Sequence, residues 1–161
     1  MEDQPTKIVL AERRVRGLFS AWDAHDVDAL MGHLMGTELA TQTQLELRVW
    51  VRSVQPGAPI LYSGEEQVRS FVEALTPGFQ SRVRNLQGSP GPNPSLALVD
   101  AVVTISADLL RNAGIDSAEG SVFAQLLTNV DFLIREIQFR FEQEMYEKLQ
   151  PILPPGIRQG G

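Results

Sequence analysis

The stretch Val15-Arg-Gly-Leu-Phe-Ser-Ala-Trp-Asp-Ala-His-Asp-Val-Asp-Ala-Leu30 decides the fold. Its apolar residues Val15, Leu18, Phe19 and Trp22, with Ile8 upstream, recur at helical spacing. Arg13, Arg14 and Arg16 lie mostly elsewhere around the axis, so the pattern predicts an amphipathic helix over 8–22. Asp23-Ala-His-Asp breaks that helix. Asp26 is suited to N-cap a second one, carrying Val27, Leu30, Met31 and Leu34 and ended by Gly36.

Downstream the period changes from helical to two. Leu45, Leu47, Val49 and Val51 alternate with Glu46, Arg48, Trp50 and Arg52, which predicts a long half-buried strand over 41–54. Gln55-Pro-Gly-Ala-Pro59 is a turn, and Ile60 to Tyr62 return as a short strand. Ser63-Gly-Glu-Glu66 has the spacing of a capping box, in which the Ser63 hydroxyl accepts from Glu66 N–H and the Glu66 carboxylate reaches back. The helix it opens buries Val68, Phe71, Val72 and Leu75, and Thr76-Pro-Gly78 stops it.

The second half reads mostly as strand: 79–87, a long segment over 96–110, then 122–129 and 133–142. A Pro- and Gly-rich loop over 88–94 and a turn-rich link over 112–120 separate them. Glu and Gln are plentiful in 132–149, so that segment also admits a helix; strand to about Glu142 and a short helix to Gln150 is the preferred reading. Residues 1–7 form a polar arm, 8–150 the domain, and 151–161, with three prolines and three glycines, a mobile tail. Runs of helix and strand that do not alternate one for one indicate an α+β fold.

This order resembles the nuclear transport factor 2-like, or SnoaL-like, superfamily. The opening stretch is similar to that family's first two helices and the acidic break between them. Ser63-Gly-Glu-Glu-Gln-Val-Arg-Ser-Phe-Val-Glu-Ala-Leu75 is similar to its third helix. The resemblance covers about residues 8 to 143. It implies a curved antiparallel sheet of about six strands wrapped around three helices of the N-terminal half, a conical central pocket, and homodimers through the sheet face. Family members use the cone as an active site for small hydrophobic molecules, as a binding pocket or as a docking scaffold, so function has to be argued from the site.

Composition removes several function classes. The chain has 161 residues and no cysteine, so disulfides, thiolate metal sites and cysteine nucleophiles are excluded. Two histidines are too few for a His-rich metal centre, and neither metal nor cofactor is expected. A net charge of −6 with dispersed arginines argues against nucleic acid and against anionic membranes. The polar start of the chain and the lack of any long apolar run predict a soluble cytoplasmic protein.

The candidate site residues are few. Asp23 matches the position of the Asp that family dehydratases pair with a His on the strand after the third helix, but Phe79-Gln-Ser-Arg-Val-Arg-Asn85 contains no His. A helix-ending role for Asp23 is the competing reading. Asp108, near the end of the long strand, is the other candidate acid or base, by analogy with family enzymes whose strand carboxylates enter the cone; the competing reading is an outward, solvated aspartate. Trp22, Trp50, Tyr62 and Phe79 are the candidate ligand contacts. Trp50 sits on the polar side of its strand, as a dimer contact or a pocket wall. His25 and His33 are expected in turn and half-buried structural positions. Three functions follow: a pocket for a small apolar ligand, a cofactor-independent cyclase, isomerase or dehydratase using Asp108 or Asp23, and a protein-association scaffold.

Overall fold

The computed structural model describes residues 4–158. Six helices and seven strands follow in the order α1 (Gln4–Asp23), α2 (Val27–Met31), α3 (Thr37–Thr43), β1 (Arg48–Ser53), β2 (Ile60–Ser63), α4 (Gly64–Leu75), β3 (Gln80–Pro90), β4 (Leu96–Ser106), α5 (Asp108–Asn112), β5 (Ala118–Leu127), β6 (Leu133–Phe141), α6 (Gln143–Leu149) and β7 (Ile157–Arg158). The fold is α+β, with a curved, open sheet whose concave face is covered by helices of the N-terminal half.

The strand order is β3-β4-β5-β6-β1-β2-β7. All neighbours are antiparallel except β1 and β6, which run parallel, with Arg48 to Ser53 opposite Glu136 to Phe141. The sheet is therefore mixed. Residues directly opposite each other share a face, so two kinds of transverse row can be read off. Val51, Phe139 and Val122 belong to a row facing the helices, and all three are buried. Leu61, Trp50, Gln138, Phe123, Asp100 and Gln87 form the neighbouring row on the outer face.

Helix α1 crosses the inner face over β3, β4 and β6. Its buried residues Ala11, Val15, Leu18, Phe19 and Trp22 repeat at the spacing that keeps one side of a helix against a sheet. Helix α1 comes close to β3 at Gly88, where an added Cβ would come within 2.9 Å of the Ile8 side chain, and Glu12 accepts the Gly88 N–H at 2.8 Å. Helix α2 is capped as its sequence predicts, with the Asp26 carboxylate accepting from Ala29 N–H at 3.0 Å. It ends at Met31 rather than Leu34, because residues 33–35 leave the helix to bridge the start of β6: Leu34 pairs with Ile134, and Met35 N–H donates to the Ile134 carbonyl at 2.9 Å.

The structure corrects the sequence reading at several boundaries. Residues 37–43 form helix α3 where 41 onward reads as strand. The Glu65 carboxylate, 28 residues away, accepts from both Thr37 N–H at 3.2 Å and its hydroxyl at 2.7 Å, and thereby caps this helix. The capping box at Ser63 takes a different form: the side chain that reaches back to Ser63 N–H is Gln67, at 2.9 Å, and the Ser63 hydroxyl donates to Glu46. Strand β3 continues to Pro90 through a bulge between Arg84 and Gln87, so part of 88–94 is ladder. Residues 108–112 form α5 instead of extending β4. Helix α1 begins within the expected polar arm, of which 1–3 lie outside the described residues. The expected mobile tail is docked as far as Arg158: Leu153 is buried, Tyr62 donates to the Pro154 carbonyl at 2.6 Å, and β7 pairs with β2. Residues 159–161 lie outside the described residues. No described helix is long and apolar enough to cross a membrane.

Candidate functional site

The space between α1, α4 and the concave face is where a cone fold keeps its pocket. Here it is filled. Trp22 stacks on Phe79 with ring centroids 4.1 Å apart and planes 7° from parallel. Phe71 of α4 meets Trp22 edge-on at 6.2 Å, Tyr62 at 4.6 Å and Phe139 at 6.2 Å. All five rings are buried. Two voids of about 10 Å³ each lie among these rings, both bordered by Trp22, Phe71 and Phe139 and lined by apolar residues throughout. Each is near the size of a single water, which would also need two or more polar partners. One polar atom is stranded there: the indole N–H of Trp22 is buried without a hydrogen-bond partner.

The two candidate carboxylates sit outside this interior. Asp23, the last residue of α1, is exposed and accepts from Ser81 N–H at 2.7 Å and from the Ser81 hydroxyl at 2.8 Å. Two residues on, His25 takes a left-handed backbone (φ +59°) and its Nε2–H donates to the Phe79 carbonyl at 3.0 Å. Asp108 opens α5, is exposed, and pairs with Arg111 at 2.6 Å; Arg111 also donates to the Gly78 carbonyl at 3.1 Å. The Asp108 backbone N–H donates to the Pro77 carbonyl at 2.9 Å. The structure therefore brings both residues to the same connection, residues 77–81: Asp23 holds the Ser81 N–H with its carboxylate, while on the Asp108 side the backbone is held by the Asp108 N–H and by Arg111. A solvated carboxylate that already accepts an ion pair or two hydrogen bonds is poorly placed to act as the desolvated acid or base of the expected chemistry.

Of the candidate ligand contacts, Trp22, Tyr62 and Phe79 join one aromatic cluster through Phe71, while Trp50 lies on the opposite face of the sheet between Leu61 and Gln138. The sequence reading passed over Phe71 and Phe139 as pocket residues; the available signals were the helical spacing of Phe71 with Val68, Val72 and Leu75 and the alternation of Phe139 with Ile137 and Phe141. It also passed over a cluster on the outside of α1. There Arg14 bonds His33 Nδ1 at 3.0 Å and the Asp131 carbonyl at 2.7 Å, beside an open recess of about 250 Å³. Burial and the Arg14 charge hold the His33 imidazole below its ordinary pKa of 6.5. No group of three or more metal-ligating side chains occurs among the described residues.

No protein-family model and no curated protein matches this chain. Solved structures do. A nuclear transport factor 2-like family protein from Streptomyces avermitilis, provisionally a dehydratase, superposes with a TM-score of 0.61 over 88% of this chain and 99% of its own, at 11% identity. The chain has the nuclear transport factor 2-like fold. A Mycobacterium tuberculosis LEH-like epoxide hydrolase gives a TM-score of 0.52 at 13% identity, covering 90% of this chain and 92% of that one. A cystatin-like protein of unknown function from Nostoc punctiforme gives 0.54 at 11%, covering 81% and 87%. Identities this low carry the nuclear transport factor 2-like architecture across and leave the chemistry to be argued from the residues.

Proposed function

We propose that this nuclear transport factor 2-like domain is a non-catalytic association module that pairs with a second copy through the outer face of its sheet. The observation that carries this reading is the filled cone: two voids of about 10 Å³, with no titratable side chain lining either. An active site or ligand pocket ordinarily offers a few hundred Å³ with convergent polar groups.

The outer face supports the pairing. Trp50, Phe123, Leu98 and Val102 are only half-buried there, and the rows around them carry Arg48, Arg52 and Arg140 together with Glu136 and Asp100. A face holding both charges and an apolar centre is suited to meet itself across a two-fold axis. Aromatic residues and arginine are also the types that dominate interface energetics. Sedimentation equilibrium at micromolar concentration tests the reading. A dimer that Phe123→Arg converts to a folded monomer supports it; a wild-type monomer at every accessible concentration overturns it.

A second reading rests on the stranded Trp22 N–H. A small apolar ligand bearing one acceptor oxygen would satisfy that donor if the Phe71 ring moved aside, since a buried unpaired donor carries a desolvation cost of about 1–3 kcal/mol. Native mass spectrometry of the purified protein checks it: a retained small molecule favours the ligand reading, and a bare subunit mass counts against it.

A further inference from the structure

The outside of α1 holds an arrangement that neither the filled cone nor the sheet face uses. Helix α1 carries Arg13, Arg14 and Arg16, and this chain is acidic overall. Among the described residues, none of the three is paired with a carboxylate. Arg14 spends its two bonds on neutral partners, the His33 ring nitrogen at 3.0 Å and the Asp131 carbonyl at 2.7 Å, and Arg13 and Arg16 make none among the described residues. A guanidinium only donates, so His33 Nδ1 accepts and the ring proton resides on Nε2. That Nε2–H has no partner among the described residues.

The geometry around this group is built rather than incidental. Gly17 stands in the middle of a 20-residue helix, where glycine costs roughly 1 kcal/mol relative to alanine. The reason is on the neighbouring element: a Cβ there would lie 2.7 Å from His33 Cε1. The helix thus gives up a side chain to seat the imidazole. His33 is carried to α1 by the bridge that residues 33–35 make with the start of β6. The opposite wall is the β5–β6 loop, where Asp131 and Phe132 both take left-handed backbone, at φ +53° and +57°. Two consecutive non-glycine residues in that region carry strain that the surroundings must hold in place. Between these walls lies the open recess of about 250 Å³, lined by Leu10, Arg13, Arg14, His33, Asp131 and Phe132.

We propose that this recess binds a small organic carboxylate with an apolar body, the carboxylate on Arg13, Arg14 and the His33 Nε2–H, the body against Leu10 and Phe132. Arg14 is already oriented by two bonds, so little side-chain entropy is lost when it accepts an anion's charge. Guanidinium and imidazole N–H groups together suit the planar two-oxygen geometry of a carboxylate. Asp131, which lines the same recess, adds a negative charge nearby that disfavours a multiply charged anion such as phosphate and favours a ligand of single charge. The acidic balance of the whole chain acts in the same direction.

The test is a backbone-amide and histidine-ring NMR titration of the full chain near pH 7.5 with sodium benzoate, against inorganic phosphate and chloride. Saturable shifts confined to residues around 10–17, 33 and 131–132 with millimolar benzoate, weakened about tenfold in folded Arg13→Gln, are the expected result. Arg13 is exposed and makes no bond to lose, so that variant keeps the fold. Absence of saturation, shifts unaffected by Arg13→Gln, or phosphate binding as well as benzoate would each overturn the assignment.

Discussion

The Trp22 and Phe79 rings lie 4.1 Å apart and nearly parallel, tying the last turn of α1 to the residue that enters β3. Both are buried, and Trp22 also touches Phe71. Trp22→Ala removes the largest ring of the cluster and is expected to cost about 3–5 kcal/mol, as large aromatic truncations in cores do. It also opens an apolar hollow of the shape of an indole. Chemical denaturation measures the first effect; a rise in Tm with added indole measures the second. A loss below about 1 kcal/mol would mean that the cone interior is loosely packed.

The connection over 77–81 is held from two sides, by Asp23 and His25 on one and by Asp108 and Arg111 on the other. Asp23→Ala takes two acceptor contacts from Ser81 and is expected to cost about 1–2 kcal/mol. Asp108→Ala removes an exposed ion pair and should cost less than 1 kcal/mol. Thermal unfolding of the two variants gives the ranking. The reverse order would place the stronger anchor at α5.

Gly17→Ala on an exposed helix ordinarily stabilises by up to about 1 kcal/mol. Here the sign reverses, because the new methyl lies 2.7 Å from the His33 ring. The double variant Gly17→Ala/His33→Ala is expected to be more stable than His33→Ala alone. A double-mutant cycle from urea melts reads the coupling directly, and an additive result removes the steric account.

Two groups give the stability a pH signature. His33 is held below 6.5, first by burial and then by Arg14 on α1, with Arg13 on the same helix and Asp131 on the β5–β6 loop also beside it. Its folded pKa is below its unfolded one, so its contribution is complete above 6.5 and is lost as pH falls through that value toward the folded pKa. Glu65 is held below 4.5 by the bonds from the Thr37 hydroxyl and N–H, and its contribution is present above 4.5 and lost below. Urea melts from pH 8 to 4 should show a decline that His33→Gln flattens in the upper part of the range and Glu65→Gln in the lower. Unchanged curves would detach both residues from the linkage.

Ending the chain after Gln150 removes Leu153, the Pro154 carbonyl that Tyr62 donates to, and β7. Loss of a buried apolar side chain and a buried hydrogen bond together should cost about 2 kcal/mol or more. A truncated protein as stable as the full chain would show the docked tail to be energetically idle.

How much of this was legible in the sequence depended on how far each signal travelled. The stripe on α1 and the alternation in β1 were readable because one buried face imposes a period on contiguous residues. Helix α3 was not, since its cap comes from Glu65 across the chain and Thr37 offers no local sign of it. The strand reading of 96–110 rests on the alternation of Val99, Ala101, Val103 and Ile105, which stops short of Leu109 and Leu110; these belong instead to a short turn of helix. Trp22 could be named from the apolar stripe of α1 and Tyr62 from its place on the first hairpin, but the closure of the cone depends on Phe71 and Phe139 arriving from two other elements. The Arg14–His33 contact depends on a bridge to Ile134, a hundred residues downstream, and only the glycine at 17 hinted that something approaches α1 there.

The parallel seam between β1 and β6 sets an order of events during synthesis. The first hairpin leaves the ribosome early, yet its sheet neighbour is encoded at 133–141, near the end of the chain. Until that segment emerges, the edge of β1 is open and the inner faces of Val49 and Val51 lack their flanking strand. Such long-range closure is slow and exposes strand edges meanwhile. A nascent chain stalled before Leu133 is therefore the species most prone to aggregate.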